Sequence, residues 1–225
     1  MPTVFLREKC CFVCGHSATY PDTSTAGPFR GECDLDTRPS SMHRSSVYML
    51  VQQCEACGYC AQDINRGEPA FKEVVHSALY RELRANQSLS QTAVSFQLQA
   101  MLLEHVHDTK GAGWAWLHAA WVNDDGGERA NALLCRRKAL DYFNQVRSQG
   151  ESCCATPSLD TVLLVDLYRR VKDFDRASRL AELELELETC PPEVRRALTW
   201  EVRLARSQNS RTATMAQALE ESDDE

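Results

Sequence analysis

Four cysteines of this chain fall into two matched segments, Cys11-Phe12-Val13-Cys14-Gly15 and Cys54-Glu55-Ala56-Cys57-Gly58. Two residues between cysteines let one tight turn present both sulfurs to a single ion. Two such turns supply the four soft ligands of a tetrahedral zinc site. The glycine after each pair suits that geometry, because backbone just past the second cysteine often turns through positive φ, which glycine adopts without steric cost. Cys11, Cys14, Cys54 and Cys57 are therefore the expected metal ligands, with one structural Zn2+ as cofactor. Four thiolates fill the shell and leave no place for water or substrate, so the site reads as structural rather than catalytic. A thioredoxin-like centre needs a single motif that opens a helix between strands, whereas both pairs here are followed by glycine.

The remaining cysteines are Cys10, Cys33, Cys60, Cys135, Cys153, Cys154 and Cys190, expected as small buried apolar residues or inert thiols. Cys10 abuts Cys11 and Cys60 lies three residues past Cys57, so either can substitute as a ligand or oxidise once zinc leaves. His16 and His43 find no unfilled place on the metal and read as surface or loop residues. The run Asp34-Leu35-Asp36-Thr37-Arg38-Pro39 sets two carboxylates and a guanidinium beside a proline that disfavours helix before it. Arg38 can pair with Asp34 or Asp36 in a surface turn of little energetic weight. The alternative makes Asp34 and Asp36 ligands for a metal or substrate. His105-Val106-His107 beside Glu104 is not His-Glu-x-x-His, and no phosphate loop or Gly-x-Ser-x-Gly elbow occurs, so no catalysis is inferred.

The elements that must position these residues divide by hydrophobic period. Residues 1–66 read as a β-rich ribbon whose best strand, Ser46 to Gln53, leads into the second knuckle. The 39 residues between Cys14 and Cys54 are long for a bare ribbon, and Tyr20 to Gly31 reads as an exposed loop. From Gly67 the period shifts to about 3.6, so residues 67–208 are expected to form helical hairpins. Phe71, Val74, Val75, Ala78, Leu79 and Leu83 mark one helix. Val94, Leu98, Met101, Leu102 and Val106 mark the next, with Ser90 as N-cap. A third begins after Gly111-Ala112-Gly113, and further helices are expected through Phe143, from Ser158 to Val171, from Asp175 to Glu188 and after Pro191-Pro192. In the Glu182 to Glu188 run, Leu180, Leu183 and Leu187 share one helical face. Residues 209–225 have few large apolar side chains and end in acid, so they read as a disordered tail. The fold class is α+β, mostly α.

Leu117, Trp121, Ala130 and Leu134 recur in the spacing of Leu164, Tyr168, Ala177 and Ala181, which resembles a tetratricopeptide repeat, with its bulky residue over a small alanine. The step is 47 residues rather than about 34, His118 stands where the repeat prefers glycine and Thr161 replaces the tryptophan position held by Trp114. An ordinary helical bundle accounts for the same apolar faces. A knuckle near the N-terminus, a spacer, a second knuckle continuing into Tyr59 and then α-hairpins together resemble an uncharacterised bacterial family that joins a zinc ribbon to tetratricopeptide-like helices. The resemblance spans most of residues 4–190 and is most specific at Cys11, Cys14, Cys54, Cys57, Gly58 and Tyr59. It implies a fold and a metal but no reaction.

The chain is 43% apolar and lacks a run long enough to cross a bilayer. Its first residues lack the apolar core of a signal peptide, so a cytoplasmic protein with reduced thiols is expected. The net charge of −7 is concentrated in the tail, and residues 1–66 hold six Arg/Lys against seven Asp/Glu. The ribbon thus lacks the basic face that nucleic-acid binding requires. These features point to a zinc-binding interaction or scaffold module that takes a protein or peptide on its helical hairpins. A thiol-based redox or metal-responsive regulator is the alternative reading, and a nucleic-acid-binding ribbon is the third.

Overall fold

The structure, a computed structural model, describes residues 5–22, 33–40, 44 and 46–220. The fold is α+β and mostly helical, and the chain divides into two compact units. One comprises Met1–Phe29 and Ser45–Tyr142, the other Arg30–Arg44 and Phe143–Glu225. This division follows packing rather than the change of period at Gly67.

In the first unit, β1 (Phe5–Cys10) and β2 (Ser17–Asp22) pair antiparallel, from Phe5 opposite Asp22 to Cys10 opposite Ser17. Tyr20 to Asp22 therefore belong to a strand, contrary to the loop expected there. The rest of that loop, and His43, lie outside the described residues. The strand expected from Ser46 to Gln53 is instead a 3-10 turn, Val47–Leu50, followed by β3 (Gln52–Gln53), which pairs with β4 (Cys60–Ala61). β4 offers a ladder only to Gln52 and Gln53. The residues before them satisfy their backbone in a turn, with Met49 N donating to Ser46 O at 3.0 Å.

The helix expected from Phe71 to Leu83 is two helices, α1 (Phe71–Val75) and α2 (Ala78–Arg84). Ser77 takes extended backbone between them and its hydroxyl accepts from Tyr80 N at 3.2 Å, an N-cap that outcompetes continuation of the helix. Ser90 caps α3 (Gln91–His105) as expected, accepting from Ala93 N at 3.2 Å. α4 (Thr109–Asp125) starts ahead of Gly111 and Gly113, because the Asp108 carboxylate accepts from Gly111 N at 2.8 Å and fixes the first turn there. α3 and α4 pack through Phe96, Leu98, Leu117 and Ala120, all without solvent exposure. α5 (Arg129–Ser148) carries the chain from the first unit into the second.

The second unit holds α6 (Asp160–Arg170), α7 (Phe174–Leu185), α8 (Pro192–Arg206) and α9 (Met215–Glu220). Its core gathers Val162, Val165, Ala177, Ala181, Ala197 and Leu198 with Leu35 from the distant segment 33–40. Leu183 and Leu187 face solvent. The buried face of α7 is set by Ala177 and Ala181, which bring neighbouring helices close, and Leu180 packs partly buried against the same core. The disordered tail expected from residue 209 is also corrected. Ala213 and Ala218 are buried, Thr214 bridges Asp34, and α9 follows, so small side chains and backbone pairing order residues that lack large apolar groups. Residues 221–225 lie outside the described part. No helix among the described residues is long and apolar enough to cross a membrane.

Candidate metal centre

Each Cys-x-x-Cys-Gly segment forms the turn of a short hairpin, the first between β1 and β2, the second between β3 and β4. The two turns share one hydrogen-bond pattern. Cys11 N donates to His16 O at 2.9 Å and Gly15 N to Cys11 O at 2.8 Å. Cys54 N donates to Tyr59 O and Gly58 N to Cys54 O, each at 2.8 Å. Gly15 and Gly58 have φ of 73° and 83°, the left-handed backbone expected of them.

The turns face one another and bring all four sulfurs within 4.8 Å of each other. Cys11 Sγ lies 3.6 Å from Cys57 Sγ, and Cys14 Sγ 3.6 Å from Cys54 Sγ. Tetrahedral thiolates at about 2.3 Å from a zinc ion stand about 3.8 Å apart, so the donor set fits such an ion. Burial pushes the Cys11 and Cys57 thiols up. Burial acts in the same direction on Cys54, but the Cys57 amide and the Cys14 thiol outweigh it and bring Cys54 down to about 7. The four sulfurs crowd one space, and a divalent cation would relieve the repulsion between their thiolates.

The second knuckle is braced by α2. Tyr80 Oη donates to Gly58 O at 2.9 Å and Arg84 Nη2 to Glu55 O at 2.9 Å. The Arg84 side chain lies so close over Gly58 that a Cβ there would stand 2.5 Å from it. The hairpins are tied together by Gln52, which donates to Pro21 O and accepts from Ile64 N, both at 2.9 Å, and by Phe12 N donating to Ile64 O at 2.9 Å. Across the mouth, His16 Nε2 and Glu55 Oε1 are 3.0 Å apart. These links make the ribbon and the first helices one packed body.

Tyr20 is buried with its hydroxyl without a geometric hydrogen-bond partner. Burial first, then the negative charge of Cys54 and Cys11, raise its pKa, which places the hydroxyl within reach of the sulfur cluster's field. Sequence reasoning missed it because it assigned Tyr20 to a loop. The signal was the tyrosine's position in the strand leaving the first knuckle, three residues beyond Ser17, which pairs with Cys10. Cys10 and Cys60 stand outside the four-sulfur group: Cys10 Sγ is exposed and 3.1 Å from Ser17 Oγ, while Cys60 is buried, donates to Gly58 O at 3.3 Å and is pushed by burial to about 12.

The surface turn expected at Asp34, Asp36 and Arg38 is instead buried, at 2%, 0% and 3% exposure, in the second unit. Arg44 supplies a guanidinium paired with Asp34: its Nη2 donates to Asp34 Oδ1 at 2.6 Å and Oδ2 at 2.7 Å. Arg38 N donates to Asp36 Oδ1 at 3.2 Å. Burial, then Asp36, push Asp34 up to about 6 against the pull of Arg44.

Beside the second knuckle, the first unit contains a cleft of about 1460 Å³ whose walls include Tyr59, Arg66, Phe71, Leu103, Trp114 and His118. His118 is held among the rings of Phe96, Trp114 and Trp121 at centroid distances of 5.2, 5.9 and 4.9 Å. Burial lowers its pKa to about 4, so it is neutral near pH 7.

Neither a curated protein nor a solved structure matches the chain. A family model described as an uncharacterized protein conserved in bacteria (DUF2225) matches residues 5–222, a span that includes both knuckles and the helices of both units, and the chain belongs to that family.

Proposed function

We propose that the protein is a zinc-dependent interaction module, in which one Zn2+ held by Cys11, Cys14, Cys54 and Cys57 fixes the wall of a cleft that receives a protein segment. The observation that carries this reading is the closure of the four-sulfur site: with four thiolates present, the metal has no position for substrate and its contribution is to folding. Zinc is favoured over harder divalent ions because all four donors are thiolates. The cleft beside the second knuckle supports the interaction, since its walls combine aromatic surface with charged groups at Arg66 and Glu68. The tetratricopeptide-like reading has mixed support. Leu164, Ala177 and Ala181 are buried as such a hairpin requires, but Ala130 and Leu134 are exposed, so the earlier hairpin does not use the same register.

Metal analysis of the purified chain is expected to give one zinc per molecule, lost together in Cys14→Ser and Cys57→Ser. A photo-crosslinking residue at position 103, in the cleft wall, is expected to trap a protein in cells, and one at exposed position 183 is not. Absence of zinc, or equal adducts from both positions, overturns the reading.

A further inference from the structure

The second unit buries one guanidinium against two carboxyl groups. Arg169 and Asp166 stand one turn apart on α6, Glu201 lies on α8, and all three side chains are shut off from solvent. Arg169 Nε donates to Glu201 Oε2 at 2.5 Å and its Nη2 to Asp166 Oδ1. Nε and Nη2 form one edge of the planar guanidinium, so the two acids stand side by side along it. The opposite nitrogen, Nη1, donates to the carbonyls of Asn209 and Arg211 at 2.8 and 2.6 Å and holds the turn that follows α8.

This arrangement leaves two oxygens over. Glu201 Oε1 and Asp166 Oδ2 are buried and have no hydrogen-bond partner among the described residues. A buried acceptor without a donor is destabilising, and two adjacent carboxylates facing one cation leave a net negative charge in the core. A single proton removes both faults. It turns one orphaned acceptor into a donor for the other in a charge-assisted O–H···O bond, and it brings the group of three to neutrality.

The neighbouring charges do not supply that neutrality. Asp34, whose carboxyl feels the charge of Asp166, also feels Asp36, Arg38 and Arg44, two carboxyls and two guanidiniums that balance among themselves. The charged groups acting on Glu201 itself are Asp166 and Arg169. Burial first, then Asp166, push the Glu201 carboxyl well above the ordinary carboxylate range against the pull of Arg169.

We infer that Asp166 and Glu201 share one proton, carried on Glu201 Oε1 and donated to Asp166 Oδ2, and that this proton fastens α6 to α8 as a lock that opens with rising pH. In the unfolded chain Glu201 titrates near 4.5. A folded value raised above it means that the stabilisation is present in full below 4.5 and is lost as pH rises through the folded value. Between those two values each pH unit lowers the stability of the unit about tenfold.

The test combines infrared spectroscopy and hydrogen exchange on the full chain. At pH 7 the parent is expected to show the C=O absorption of a protonated carboxylic acid, absent in Glu201→Gln and retained in Asp34→Asn, since Asp34 titrates at about 6 and is mostly ionised there. In Glu201→Gln the amide donates to Asp166 Oδ2 at every pH. Protection of the α6 amides from Val162 to Leu167 in the parent, relative to that variant, should therefore fall about tenfold per pH unit between pH 5 and pH 7. A parent without the acid band at pH 7 overturns the inference, as does a band lost in Asp34→Asn but kept in Glu201→Gln, which would assign the proton to Asp34. A protection ratio constant with pH overturns the lock. Asp166→Asn covers the case in which Glu201→Gln does not fold: its amide donates to the Glu201 carboxylate, so the band should vanish, and a folded Asp166→Asn that keeps the band counts against sharing.

Discussion

Tyr20 illustrates how far a candidate metal site extends beyond its four sulfurs. Its buried hydroxyl faces the charge of Cys54 and Cys11, and a metal-bound thiolate there would be an acceptor for it. Tyr20→Phe removes one oxygen and leaves the packing intact, so the fold should survive while zinc affinity falls about tenfold in competition with a chelating dye. An unchanged affinity would show that the hydroxyl has no part in the site. The knuckle glycines separate two costs. Gly15→Ala meets no atom within 4 Å, so it carries the left-handed backbone penalty of about 1–2 kcal/mol alone. Gly58→Ala must in addition displace Arg84 from Glu55 O, and denaturant unfolding of the zinc-loaded proteins should rank it as the more damaging change. The four clustered cysteines were legible in sequence because each pair's geometry is local, set by two residues of spacing. Tyr20, Tyr80 and Arg84 were not, since strand register and helix packing bring them to the knuckles from outside the motif.

Elements were legible where periodicity and capping agreed and misread where they competed. Ser90 caps α3 as its type suggests, and the same chemistry at Ser77 and Asp108 overrode an apolar run and a pair of glycines. Leu183 and Leu187 are exposed: periodicity identifies a helix without saying which face its neighbours cover, and Ala177 and Ala181 decide that here. α4 carries a consequence of its packing that can be measured. His118 is neutral in the folded state, with its pKa lowered by burial to about 4, whereas the unfolded chain takes up a proton near the ordinary value of about 6.5. A lowered folded pKa means that the stabilisation is present above 6.5 and is lost as pH falls through the window from 6.5 toward 4. Between pH 8 and pH 5 this group should cost about 2 kcal/mol of unfolding free energy. Any metal held by the four sulfurs would add its own term in acid. The comparison is therefore with His118→Phe, whose stability should fall less over the same range by that amount; parallel curves would show that His118 charges freely in the fold.

At the scale of the molecule, the Asp34-Leu35-Asp36-Thr37-Arg38-Pro39 run was visible in sequence as a concentration of charge beside a proline, but its burial was not, because Thr214 is remote in the chain and no periodic pattern links them. A segment lying between the knuckles thus joins the C-terminal helices in one compact unit, where Asp34 bridges Thr214, and neither composition nor periodicity signals such a long-range pairing.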